Sequence, residues 1–386
     1  MTTKKKILVI AMLDSVHFAR WLGQFKDQKL SFYIFPSRKF RKLNSELISL
    51  LESKSIATFE IINTLKIKKF LGYIDYIRFE IVSKFILKLS RAKQLQQVIT
   101  RNKFDYIHAI EIQSAGYLIK DIPKKVFDET PIIVTNWGSD IYYFRKFVKH
   151  LTPIRDVLAI ANFYSGECAR DYSLAREFGF AGINLPCIPN AGGFLLDPTT
   201  IESSSPSKRT QISIKGYGEM FGRADLPIKI LELITHEFPD INFFFYSVTK
   251  DILLMIRDLP PTLRNRIRVA MVQDRLSQER IMSEFFKSRI FIGCSESDGI
   301  STSFLQSLVA GAYPIQTNTS CASEWVTRGA IGSIISLDSS ELFEKVRESL
   351  LNDQLVDDAA TANMKVAKKY LDYDVVKKEA LKFYGL

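Results

Sequence analysis

Cysteine and histidine are both scarce in this sequence, with four of each in 386 residues. Cys168, Cys187, Cys294 and Cys321 stand apart with no CxxC pair, which argues against a disulfide framework and against a zinc ribbon. His17, His108, His150 and His236 lack metal-ligand spacing, so neither a metal nor another resident cofactor is expected. Long apolar runs are missing too: none approaches the roughly 18 residues of a membrane span. Lys4 to Lys6 followed by Ile7 to Met12 has the order of a signal peptide. Its apolar part is too short, however, and Asp14 and His17 follow without a small-residue cleavage site. A buried first strand in a cytoplasmic protein is the expectation. Zinc fingers, RNP motifs and a recognition helix are also lacking, so nucleic acid is not an expected partner.

What is present is an ordinary globular composition, 46% apolar and 25% charged, in a length that suits two domains. The net charge of +11 is uneven. Residues 36–103 hold 15 Lys/Arg against 5 Asp/Glu, and 15 − 5 = +10. Segments there, such as 73–79 and 81–89, mix aromatics, Ile/Leu and Lys/Arg. They read either as solvated helix faces or as a surface resting on anionic membrane at its inner face.

The stretch 288–324 organises the second half. Ser288 to Gly293 reads as a short buried strand, and Ser295 to Gly299 as a polar turn. Phe304, Leu305, Leu308 and Val309 have helical spacing, and Gly311 ends that helix. Asp298 to Ser303 therefore lies where a strand gives way to a helix N-terminus, a place that attracts phosphate. The small residues Gly299, Ser301 and Ser303 let a ligand approach the backbone. Upstream, Gln211 to Lys215 predicts a strand, Gly216 to Gly222 a glycine-bearing loop, and Arg223 precedes a helix with Ile228, Ile230, Leu231 and Ile234. A cation at such a loop is a second phosphate-binding arrangement.

This pattern resembles the donor-binding segment of family-four glycosyltransferases of the GT-B fold. Asp298 stands at the signature's first acidic position, and Gln306 stands eight residues later, where the family usually has Glu. The turn Gly311 to Pro314 matches the next landmark, and Glu324 precedes a Gly-x-x-Gly turn at Gly329 to Gly332. The resemblance implies two Rossmann-like, doubly wound parallel-sheet domains facing across a cleft. Residues 1–200 would form an acceptor-side domain, 201–365 a nucleotide-sugar domain, and 366–386 a helix crossing back to the first. It implies a metal-independent, retaining hexosyltransferase-type enzyme that acts on a glycan or lipid-linked acceptor. Cell-surface polysaccharide or lipopolysaccharide synthesis is the setting it suggests. Lys215, Arg223 and Asp298 would carry the chemistry. Gly216, Gly299, Ser301, Thr302, Ser303, Gln306 and Glu324 would hold the donor. Two other readings stay open: a non-catalytic relative that binds a glycan or partner, supported by Gln306, and a nucleotide-sugar epimerase.

In the first half, Lys4 to Met12, Leu30 to Phe35, Phe104 to Glu111 and Pro131 to Thr135 predict strands. Strand ends open onto the ligand crevice of such sheets. Asp14, His17, Glu111, Trp137 and Asp140 are the acceptor-side candidates. Asp14 and Ser15 also suit a helix cap, and Asp140 suits a cap for a helix starting at Ile141, the reading favoured here. By resemblance, Gly138 to Asp140 matches a family turn, His108 and Ile110 fall on two His-rich positions, and Trp137 stands where a His is frequent. Trp137 is then free to stack on a sugar ring. A strand is predicted at Cys187, before the turn that ends at Gly193. The Ser- and Pro-rich 197–209 reads as a linker.

Overall fold

The computed structural model describes residues 4–40, 42–53, 56, 58–61, 90–127, 129–196, 205–218 and 221–386. The chain divides into two compact units, Met1–Gly192 with Val376–Leu386, and Gly193–Val375. The division thus falls at Gly192, ahead of the position 200 read from the Ser/Pro-rich stretch. The amphipathic, basic segments at 73–79 and 81–89 lie outside the described residues.

The first unit holds a parallel sheet in the order β3-β2-β1-β4-β5-β6-β7. Its strands are β1 (Lys5–Ala11), β2 (Leu30–Pro36), β3 (Thr58–Ile61), β4 (Tyr106–Ile110), β5 (Ile132–Thr135), β6 (Phe163–Ser165) and β7 (Ile183–Asn184). Strand β1 shows why a continuous apolar run is needed. Side chains alternate between sheet faces, so Leu8 and Ile10 enter one core while Ile7, Val9 and Ala11 enter the core on the other face. The C-terminal Phe383 and Tyr384 belong to that second core. His108 on β4 is pinned there, with Nδ1 2.7 Å from the Tyr384 hydroxyl and Nε2 2.6 Å from Thr135 Oγ1. Burial pushes its pKa down to about 3, so it is a neutral core histidine.

The second unit repeats the plan with the order β10-β9-β8-β11-β12-β13. The strands are β8 (Gln211–Lys215), β9 (Asn242–Val248), β10 (Ile267–Met271), β11 (Ser288–Gly293), β12 (Tyr313–Thr317) and β13 (Ser333–Ile335). Alternation recurs in β9, where Phe243 and Phe245 fill one core and Phe244 and Tyr246 the other. Renumbered from its own first strand, each sheet contains the order 3-2-1-4-5-6. The direction of winding reverses between β1 and β4 in the first unit and between β8 and β11 in the second. Doubly wound sheets bind ligands at that reversal, beyond the carboxyl ends of the strands.

Two local expectations are corrected. No strand forms at Cys187: the last strand of the first sheet is the short, exposed β7 just upstream. Asp140 does not cap a helix, because the Ser139–Tyr142 helix begins at Gly138 with no side-chain cap. Asp140 is buried and turned to the neighbouring segment, where its Oδ2 accepts from the Ile112 N–H at 2.9 Å.

Candidate donor and acceptor sites

The reversal point of the second unit is built from two strand-to-helix turns. One leaves β8 at Lys215 and enters the Asp225–Glu237 helix; the other leaves β11 at Gly293 and enters the Thr302–Ala310 helix. The strands are neighbours, with Ile214 paired to Ile292. Their turns are stitched together as well. The Arg223 N–H donates to the Cys294 carbonyl at 3.0 Å, and the Glu296 N–H to the Phe221 carbonyl at 2.7 Å. A Cβ at Gly216 would sit 2.6 Å from a Val248 methyl, so glycine lets the first turn pass close over β9.

The structure brings the predicted charges together across these turns. Lys215 Nζ lies 3.6 Å from Asp298 Oδ2. Arg223 forks onto Asp225 at 2.9 and 3.1 Å and reaches Glu296 at 3.5 Å. The hydrogen bond that Arg223 donates to Asp225 raises the Arg223 pKa and lowers that of Asp225. Asp298 also accepts the Gly299 N–H at 3.0 Å, closing the turn on itself.

The Thr302–Ala310 helix starts at Ser301, which makes no side-chain cap bond. Its first N–H groups, Thr302 and Ser303 among them, stand at the positive end of the helix dipole. Among the described residues, Ser301 Oγ, Ser295 Oγ and Gln316 Oε1 are buried without a hydrogen-bond partner. Buried polar atoms are usually paired, so the two orphan hydroxyls of this turn, Ser295 and Ser301, leave hydrogen-bonding capacity for a polar ligand, while Gln316 Oε1 lies on β12 beside Gly293. Gln306 lies one turn further along and is 3% exposed. Glu324 is half-buried on the Ala322–Thr327 helix that follows β12, one strand along the same sheet edge.

The predicted residues of the first unit also gather at strand ends. Asp14 follows β1 and takes both of its contacts from Arg38 at 3.2 Å. Ser15 caps the Val16–Gly23 helix. The His17 and Trp137 rings are 5.5 Å apart. Glu111 adopts φ 77°, a rare backbone for a residue with a side chain. Its carboxylate accepts from the N–H groups of Gln113 and Ser114, and from the Ser114 hydroxyl. Burial raises the pKa of Glu111 against these bonds. Burial and then the charge of Glu111 raise that of Asp140 well above the carboxylate range. Sequence reasoning missed Arg38, Ser37 and Ser114, the last two joined through their hydroxyls at 3.0 Å. The end of β2 at Pro36 was the available signal, since Ser37 and Arg38 follow it directly.

Solved structures share this architecture over the full length. HepE from Anabaena, crystallised with UDP and glucose, aligns with TM-score 0.69 at 12% identity, covering 98% of this chain and 99% of that one. The chain has the GT-B fold. TarM aligns with TM-score 0.72 at 10% identity over 100% of this chain and 99% of its own. A glycosyltransferase from Rickettsia africae gives 0.65 at 14% identity, covering 99% and 98%. Residues 70–159 match the family model described as Glycosyl transferase 4-like. No curated protein matches the sequence. The likeness to family-four glycosyltransferases is thus met by the family model in part of the first unit, and by the GT-B fold throughout.

Proposed function

We propose that this protein is a glycosyltransferase that moves a sugar from a nucleotide-sugar donor, held by the second unit, to a glycan or lipid-linked acceptor. Retention of anomeric configuration and a role in cell-surface polysaccharide or lipopolysaccharide synthesis are part of the proposal. The observation that carries it is the reversal point of the second sheet, where Lys215 and Arg223 flank an uncapped helix start lined by unpartnered buried hydroxyls.

The chemistry follows from charge. Cleaving the bond from the anomeric carbon to a diphosphate leaves negative charge on the departing phosphate. Fixed cations and N–H donors aimed at that charge stabilise the transition state more than the ground state. Lys215, Arg223 and the N–H groups of Thr302 and Ser303 take that role without a metal ion. Asp298 accepts hydrogen bonds from donor-sugar hydroxyls, Gln306 bonds the ribose, and Glu324 supports the sugar side. Binding a diphosphate exchanges the Lys215–Asp298 ion pair for a stronger, multiply charged partner of Lys215. At the other unit, the Trp137 ring offers a stacking face for an acceptor sugar, with Asp14 and Glu111 as nearby hydroxyl acceptors.

The test is transfer from a panel of nucleotide sugars to lipid-linked and free glycan acceptors, with the product anomer read by NMR. HepE was crystallised with UDP and with UDP-glucose, so uridine donors come first in the panel. Transfer with retention supports the reading. Donor binding without transfer to any acceptor favours the non-catalytic relative that Gln306 suggests. Donor conversion without acceptor favours an epimerase.

A further inference from the structure

The connection that leaves β5 carries an unusual surface. The Ser139–Tyr142 helix and the short Phe144–Lys146 turn lead into the Val148–Ile160 helix. At the junction four consecutive residues, Lys146, Phe147, Val148 and Lys149, are exposed. Val148 is 83% and Phe147 40% exposed, so two apolar side chains stand in water between two lysines. The Phe147 ring packs 5.2 Å from Tyr143, and Lys146 Nζ lies 5.4 Å from the Tyr142 and Tyr143 rings. Between 141 and 155 there are four Lys/Arg and no Asp/Glu. The helix also starts on Phe147, with no side-chain cap over its positive end.

We infer that this tip is a docking surface for an anionic lipid bilayer. Apolar side chains on a base of aromatic rings suit the boundary between headgroups and acyl chains. The flanking lysines suit the headgroup phosphates, and an uncapped helix start adds a weak anion preference. Charge complementarity favours a bilayer: Lys146 and Lys149 flank the apolar pair, and residues 141–155 hold no carboxylate. The surface is separate in sequence from the basic 36–103 stretch. It lies on the connection that follows Asp140, so a bilayer here meets the sheet edge that carries the acceptor-side candidates. Lipid binding is read without turnover, so its failure is distinct from failure of the transferase reading.

The experiment is co-sedimentation of the full chain with phosphatidylcholine vesicles, with and without phosphatidylglycerol. The wild type is expected to bind the anionic vesicles, to release them as salt rises, and to bind pure phosphatidylcholine at least tenfold more weakly. Phe147→Ser with Val148→Asp should lower binding to anionic vesicles at least tenfold, with the circular dichroism spectrum unchanged. Lys146→Glu with Lys149→Glu should do the same. No binding by the wild type overturns the proposal, as does undiminished binding by the Phe147/Val148 variant. Specific capture of a protein partner through this tip, with vesicles ignored, overturns it too.

Discussion

Lys215 and Asp298 come from different strand-to-helix turns, yet their charges meet at 3.6 Å across the carboxyl ends of two adjacent strands. The pair marks where the second sheet reverses its winding. It also sets the resting state of the cation proposed to hold the donor diphosphate. Lys215→Ala should therefore weaken binding of a nucleoside diphosphate by tenfold or more, as measured by titration calorimetry. Asp298→Asn should keep or strengthen diphosphate binding, because the competing carboxylate is gone, while transfer falls.

Arg223 is half-exposed and held by Asp225 and Glu296. Arg223→Ala should cut turnover about 100- to 1,000-fold, the range for removing one donor from a charge-stabilising site. The melting temperature should move little, since partly exposed ion pairs contribute about 0–1 kcal/mol. Steady-state kinetics beside a melting curve checks both halves. Near-normal turnover would remove the diphosphate role from this residue.

Gln306 is buried on the Thr302–Ala310 helix. Gln306→Glu should retain or raise transfer if the side chain bonds the ribose. Without ligand the variant should be less stable than wild type, since a buried carboxylate is disfavoured in its charged form. Its folded-state pKa is then raised, so the stability deficit grows as pH rises. Melting temperatures at several pH values, with and without nucleoside diphosphate, test this.

Glu111 and Asp140 supply a second pH dependence. Both are pushed up by burial, Asp140 further by its neighbour's charge. A folded pKa above the unfolded value means the native state holds protons that the unfolded chain releases above about pH 4. Stability from these groups is present below that pH and is lost as pH rises through the raised values. Asp140→Asn keeps an oxygen for the Ile112 N–H, so the variant should gain stability relative to wild type as pH rises toward neutrality. Denaturant unfolding from pH 4 to 8 reads the difference, and parallel curves would contradict it.

His108 acts in the opposite sense. It is held neutral, with a pKa near 3, while the unfolded chain takes up a proton below about pH 6.5. Its folded pKa is depressed, so wild-type stability from this group is present above pH 6.5 and is lost as pH falls. His108→Gln should be less stable at neutral pH and should show a shallower decline between pH 6.5 and 4, by the same unfolding measurement.

Much of this was legible in the residues. Ser288 to Gly293 was legible as a strand because Ile290, Phe291 and Ile292 form a short apolar run, which the structure divides between the cores on the two sheet faces, and Gly311 was legible as a helix end because glycine tolerates the left-handed backbone found there, φ 70°. The two phosphate-binding turns were readable for the same reason: each is a strand, a small-residue turn and an amphipathic helix in local order. Pairing between the turns was not readable, because Lys215 and Asp298 are distant in sequence and only the strand order joins them. Asp140 was misread as a cap because its sequence neighbours fit one. Its true partner, the N–H of Ile112, lies on a different strand's connection. Arg38 was overlooked because its partner Asp14 follows a different strand, and only the sheet brings the two ends together.

The most direct measurement is a crystal structure of the protein with a nucleoside diphosphate. The account predicts the diphosphate within hydrogen-bonding distance of Lys215, Arg223 and the N–H groups of Thr302 and Ser303, with the ribose against Gln306. A diphosphate bound away from the carboxyl ends of β8 and β11, with those groups untouched, would contradict it.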